Sequence, residues 1–347
     1  GGIGALAVAT GPSLGAAIVS AGGWRWAFFV NIPVGIAILV VGKRVLRESE
    51  VDPRAATPDY LGVAMLSVAL AALVFAVSEG TTWGWSDERI VGAFAVAAGL
   101  GAAFVQRSRS HPEPAIDLAL FRDRSFVTAN AATLVYAAGF FAMLLGNILF
   151  LTGVWEYSIM RAGLAVTPGP LVVALVAGQA GKLAGRIGYR PILLAGAACF
   201  AGGLLWYVTQ VGAEPAYVRE WLPGTLIVGL GVALTFPVLS AAAVSSLPPH
   251  RFAVGSAVNQ TARQIGGALG IAVLVMLLGE PEGTADALDR FNRLWLFGAG
   301  AAIVSGVIGA GIPKPVPQVA VAPAAAPTAG PVAVVDEAPL PVAVEGT

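Results

Sequence analysis

The chain has 347 residues, of which 57% are hydrophobic and only 12% charged, with a mean hydropathy of +0.79; about a quarter of residues are charged in an average soluble domain. That composition excludes a soluble globular domain and describes an all-α integral membrane protein. Twenty Lys and Arg balance twenty Asp and Glu, so net charge points to neither nucleic-acid binding nor a basic surface domain.

Helices need roughly 20 apolar residues to cross about 30 Å of hydrocarbon. Windows of that kind occur at 1–20, 25–43, 59–79, 89–106, 126–152, 162–182, 190–210, 222–246, 252–279 and 293–312, which predicts ten spans. The first residues already read as helix rather than as a signal peptide. Pro168 and Pro170 in the sixth span and Pro237 in the eighth are tolerable where neighbouring helices pack around them. Cys199 lies inside a span, so neither an intrachain disulfide nor a Cys-based metal site is available. Thirteen Lys and Arg fall in one alternating set of loops and six in the other, leaving Arg263 alone within a span. Because cytoplasmic loops carry the excess, both ends of the chain are expected in the cytoplasm, with Trp83 and Trp85 at the outer interface. The last loop departs from the pattern, since Glu280, Glu282, Asp286 and Asp289 accompany Arg290 and Arg293. From about Pro313 the chain turns Pro-, Ala- and Val-rich, which predicts a disordered cytoplasmic tail over 313–347.

In the first span Gly11 and Gly15 form a small-xxx-small pair that lets another helix approach, and Pro12 removes a backbone hydrogen bond and can bend that face. The stretch GPSLGAAIVSAGGWRWAFFVNIPVGI, with Trp24, Arg25, Trp26, Asn31 and Pro33, resembles the antiporter motif of the fifth helix and the start of the sixth in major facilitator superfamily exporters. SEGTTWGWSDERI at 78–90 and HPEPAIDLALFRDRSF at 111–126 resemble the segments around the two extra helices of the fourteen-helix drug:proton antiporters. AGQAGKLAGRIGYRP at 177–191 resembles the short cytoplasmic loop motif between the second and third helices of each six-helix half. A tight turn there suits Gly181 and Gly188. Lys182, Arg186 and Arg190 can meet phosphates, helix C-termini or acidic partners, or merely enforce topology; Gly185 stands where the family usually has an aspartate.

The span at 252–279 holds the most informative polar content. Ser256, Asn259, Gln260, Arg263, Gln264 and Gly267 spread over roughly 140° of a helical wheel, with Gly266 and Gly270 as a close-packing pair beside them. NQTARQIGGALGIA resembles the family's penultimate helix. Arg263 lies about 16 Å into its helix at 1.5 Å per residue, where an arginine costs about 2.5–3.5 kcal/mol on insertion scales. It either faces a wet cavity or snorkels to the inner interface. Asn130, Tyr136 and Asn147 in the fifth span and Gln179 in the sixth are open to two readings, helix-to-helix hydrogen bonds or ligand contacts. No Asp or Glu lies in the interior of any predicted span; Glu79 and Glu156 sit at ends.

The resemblance covers residues 1 to about 312 and implies helices five to fourteen of a fourteen-helix exporter. It divides the chain into 1–46, the last two helices of the N-terminal half; 47–124, the two inserted helices with loops; 125–312, the C-terminal six-helix half; and the tail. It further implies a multi-pass protein of the cell membrane that expels small amphipathic molecules, drugs or a dedicated metabolite, with the proton gradient as energy source and no cofactor. An acidic residue of the first helix and an arginine motif of the fourth serve proton coupling in that family and precede this stretch. A non-transporting membrane fragment is the alternative. Beyond the lipid bilayer and a small-molecule substrate, no nucleic acid and no obligate protein partner is expected. A membrane enzyme is disfavoured, because His111 and His250 lie in predicted loops beside prolines and no metal-ligand cluster or nucleophile–base pair stands out.

Overall fold

Hydrocarbon offers a backbone no hydrogen-bond partners, so an apolar chain satisfies them within helices. The computed structural model describes residues 2–45, 59–248 and 251–313, and no strand occurs among them. The helices are α1 (Gly2–Gly22), α2 (Trp26–Phe29), α3 (Asn31–Val45), α4 (Tyr60–Trp83), α5 (Glu88–Ser110), α6 (Arg124–Gly153), α7 (Ile159–Val166), α8 (Pro168–Ile187), α9 (Tyr189–Gln210), α10 (Leu222–Val244), α11 (Phe252–Leu278) and α12 (Thr284–Gly309). Between Trp26 and Gly309, nine of the described segments are long and apolar enough to cross a membrane; the span predicted at 1–20 is α1, a helix of 21 residues. The tail predicted over 313–347 lies, beyond Pro313, outside the described residues, as do Arg47, Arg54 and His250.

Three of the differences from the sequence expectation have a local reason. α12 starts nine residues before the predicted 293, because the i,i+4 pairs Asp286–Arg290 (2.7 Å) and Asp289–Arg293 (2.6 Å) support two extra polar turns. The span predicted at 162–182 divides at Thr167, where Pro168 opens α8 at a position that needs no N–H donor; the Thr167 hydroxyl donates to the Gly163 carbonyl at 2.7 Å. The loop predicted around 181–190 shrinks to one residue. α8 runs on to Ile187 and α9 begins at Tyr189, with Gly188 between them at φ +98°, a conformation that favours glycine. Gly181 therefore lies within α8 and makes no turn, which corrects the expectation that both glycines shape the loop.

The core gathers α6, α9, α10, α11 and α12, with α8 against α10. Small residues set the closest approaches. A Cβ on Gly266 or Gly270 of α11 would meet the carbonyl oxygens of Leu134 and Ala138 of α6, and one on Gly231 of α10 would lie 2.7 Å from the Phe200 Cα of α9. The aromatic rings collect at the end where α6 finishes: Phe150, Tyr207, Trp221, Phe291 and Trp295 pack together, Trp221 stacking at 4.7 Å on Tyr207 and 5.5 Å on Phe150.

The opposite end, where α6 begins, is tied by acidic caps. Asp123 accepts from the Phe126 N–H at 2.7 Å and from the Ser246 hydroxyl at 2.7 Å. Asp59 caps α4 through the Gly62 N–H (2.8 Å) and pairs with Arg107 of α5 at 2.7 Å, joining the two helices of a hairpin whose α4 lies against α11. Burial pushes the Asp59 carboxyl up, but the Gly62 N–H and the Arg107 guanidinium outweigh it and hold the group below its ordinary range.

α1 rests on α7 and α8. The contact is made by Pro12 and Ala16 against Gly163, whose added Cβ would lie 2.5 Å from the Ala16 methyl and 2.9 Å from the Pro12 carbonyl oxygen. A Cβ on Gly11 or Gly15 would meet nothing within 4 Å. Among the described residues, then, the face that packs is Pro12/Ala16, one position on from the predicted glycine pair.

Candidate functional site

Three layers of chemistry follow one another along α6, α10 and α11, and the polar residues singled out in the sequence fall among them. Nearest the end where α6 begins, Asn259 of α11 donates to Asn130 Oδ1 (3.2 Å) and Thr133 Oγ1 (3.0 Å) of α6 and accepts from the Ser240 hydroxyl of α10 at 3.1 Å. Asn130 also donates to the Phe126 carbonyl at 2.8 Å. Asn130, Thr133 and Asn259 are buried. Every amide oxygen and nitrogen of the two asparagines thus has a partner, which makes this a three-helix clasp rather than an open binding surface.

The middle layer is aromatic. Tyr136 and Phe140 of α6 each meet Phe236 of α10 edge to face, with centroids 5.0 Å apart for Tyr136–Phe236 and 5.1 Å for Phe140–Phe236. Tyr136 is fully buried, lying also 5.0 Å from Phe200, and its hydroxyl beside Thr235 finds no acceptor in hydrogen-bonding geometry. Arg263 of α11 covers the far face of this layer, its guanidinium carbon 5.4 Å from the Phe236 centroid.

Beyond it, a cavity of about 590 Å³, its open mouth included, lies between α6, α8, α9 and α10. Its walls are mainly apolar: Phe140, Met143 and Leu144 from α6, Val173 from α8, Val228 and Val232 from α10. Three polar side chains converge on it. Asn147 accepts the Trp295 indole N–H at 3.0 Å and points its amide N–H at the Met143 sulfur at 3.2 Å; the Tyr207 hydroxyl bonds Thr225 Oγ1 at 2.8 Å. An apolar pocket with a few fixed polar groups is the ordinary build of a small-molecule site.

The predicted residues thus separate. Asn130 and Asn259 meet each other, Asn147 lines the cavity, Tyr136 is sealed behind Phe236, and Arg263 reaches the aromatic layer. Gln260 and Gln264 turn to a different surface, a groove where α11 meets Leu70, Leu73 and Val74 of α4. Lys182, Arg186 and Arg190 are exposed around the end of α8 and the start of α9. The apolar cavity residues gave no sequence signal, because one valine or methionine in an apolar helix reads like the next. Among the described residues no group of three His, Cys, Asp or Glu could hold a metal ion.

A family model described as "Major Facilitator Superfamily" matches residues 1–271. The chain belongs to the major facilitator superfamily. Within it, the chain is similar to "Multidrug resistance protein Stp" of Mycobacterium tuberculosis, 35% identical over 276 residues covering 80% of this chain and 51% of that protein. "Multidrug resistance protein B homolog" of the same organism is 35% identical over 77% of this chain and 50% of its own length. "Tetracenomycin C resistance and export protein" of Streptomyces glaucescens is 29% identical over 85% of this chain and 53% of its own length. The chain therefore spans about half the length of these relatives. Membership makes it a multi-pass membrane protein of a transporter family, in line with the helical architecture and the nine membrane-competent segments among the described residues.

Proposed function

We propose that this chain supplies the C-terminal wall of a proton-coupled exporter of small amphipathic molecules, as helices five to fourteen of a fourteen-helix protein. The observation that carries the reading is the cavity between α6, α8, α9 and α10, with mainly apolar walls edged by the paired polar side chains of Asn147, Tyr207 and Thr225. Relatives whose names speak of multidrug resistance and of export support the same direction. In this reading α6–α12 move as one body against a second half, exposing the cavity to each side of the membrane in turn. The end bearing Lys182, Arg186 and Arg190 faces the cytoplasm of the cell, and the α4–α5 hairpin is the inserted pair. Gly11, Pro12 and Gly15 belong to the antiporter motif, with Pro12 and Ala16 seating α1 on α7.

Proton coupling needs a group that can lose and regain a proton in the pathway. No acidic side chain lies in the interior of a described membrane-competent helix, so this reading assigns the coupling acid to other helices of the protein. The intact gene product, expressed in a susceptible host, is expected to lower the accumulation of several amphipathic compounds, with the effect lost when the pH gradient is collapsed. Unchanged accumulation across the panel, or export indifferent to the gradient, would overturn the proposal in its transport or its coupling part respectively.

A further inference from the structure

Arg263 is the charged side chain set furthest from both ends of its helix among the described residues: eleven residues after the start of α11 and fifteen before its end. None of the ion pairs at the described residues includes it; all four lie toward helix ends. Its Nε is buried without an acceptor, and among the described residues its guanidinium meets the face of Phe236. A guanidinium in hydrocarbon needs a counter-charge or water, and its planar fork fits a carboxylate or similar oxyanion through two parallel hydrogen bonds.

The surroundings say what such an anion would be attached to. Phe236 passes the contact to Phe140 at 5.1 Å, and Phe140 is itself a wall of the apolar cavity. Two successive aromatic contacts therefore link the guanidinium to the cavity wall. The described spans offer no interior carboxylate that would hold a lipophilic cation, so the charge this wall presents to a passing molecule is positive.

We infer that Arg263 is a specificity-determining residue that engages an acidic group, a carboxylate or equivalent oxyanion, on an exported molecule whose aromatic or alicyclic body occupies the cavity beside Phe140. The inference rests on the transport reading above and adds the substrate's charge class to it. Amphipathic organic anions are then preferred over neutral and cationic compounds of the same shape, and the preference resides in one side chain.

The test uses three fluorescent probes with one aromatic body bearing a carboxylate, a carboxamide or a primary amine, exported by the intact protein and by its Arg263→Gln and Arg263→Lys variants. Wild type is expected to export the carboxylate at least tenfold more efficiently than the amine. Arg263→Gln is expected to raise the apparent KM for the carboxylate at least tenfold more than for the carboxamide, and Arg263→Lys to recover part of that difference. The amount of each variant in the membrane and its thermal midpoint in detergent control for insertion and folding. Equal loss for all three probes in both variants would overturn the inference, since Arg263 would then serve a carboxylate of the protein itself; so would wild-type export without preference for the acid, while leaving the transport reading intact. Export of no probe at all by the wild type would overturn both.

Discussion

Gly270→Leu is expected to cost the protein its fold stability and with it any export. A Cβ at Gly270 would lie 2.8 Å from the Ala138 Cα and 2.7 Å from its carbonyl carbon, and closer still to the carbonyl oxygen. These are backbone atoms of α6, which cannot rotate away as a side chain would. Overpacking a core ordinarily costs about 1–3 kcal/mol and occasionally more, and here α11 would have to leave α6 along the seam that also holds Gly266 against Leu134. Gly300→Leu makes the useful contrast, because Gly300 lies on the exposed face of α12 with nothing within 4 Å of an added Cβ. Thermal melting of the purified protein in detergent should show a large fall or no folded peak for the first and an unchanged midpoint for the second. A wild-type midpoint for Gly270→Leu would mean that α6 and α11 do not meet there.

The second large effect is expected at Asn259. Its amide joins α6, α10 and α11 through three side-chain hydrogen bonds, and Asn259→Leu leaves the buried Asn130 Oδ1 without its donor and the exposed Ser240 hydroxyl without its acceptor. Hydrogen bonds between membrane helices average about 0.6 kcal/mol and reach about 1.7 kcal/mol, so three of them amount to about 2 kcal/mol. Gln260→Leu, one residue along, changes a side chain that faces the α4 groove and should leave stability within about 0.5 kcal/mol, the usual range for substitutions outside the core. Denaturation of the two variants side by side distinguishes them. Equal losses would show that the polar stripe of α11 acts as one surface and that the clasp has no special weight.

That contrast also marks what a sequence of this kind can reveal. The spans were legible because runs of about 20 apolar residues bounded by charge have one physical use, and α6, α9 and α11 begin and end within two residues of expectation. The start of α12 was not, since two i,i+4 ion pairs extend a helix beyond its apolar segment and a hydropathy window does not register them. Nor was the single-residue turn at Gly188, because the cations around it read as loop. Asn130 and Asn259 were both visible as polar residues in apolar helices. That they bond each other across 129 positions depends on the azimuth of α6 and α11, set by Gly266 and Gly270 lying on the backbone of α6. The cavity was the least legible part. Phe140, Met143, Val173 and Val232 differ from lipid-facing neighbours only in the direction they point, and a helix apolar all round gives no periodic contrast from which to read it.

In the proposed exporter the face built by α6, α8 and α10 lines the path of the exported molecule. The most direct test of this role is thiol labelling. With the native Cys199 replaced by alanine, single cysteines are placed at Phe140 on the cavity wall and at Leu175 on the exposed side of α8, the latter 74% exposed. Both are treated with a membrane-impermeant thiol reagent in permeabilised membranes, with and without an exported compound. Phe140→Cys is expected to react and to be protected by the compound in a saturable way, while the compound leaves the labelling of Leu175→Cys, outside the cavity, unchanged. Labelling of Phe140→Cys that an exported compound leaves unchanged, or reaction at Leu175→Cys alone, would contradict the proposal.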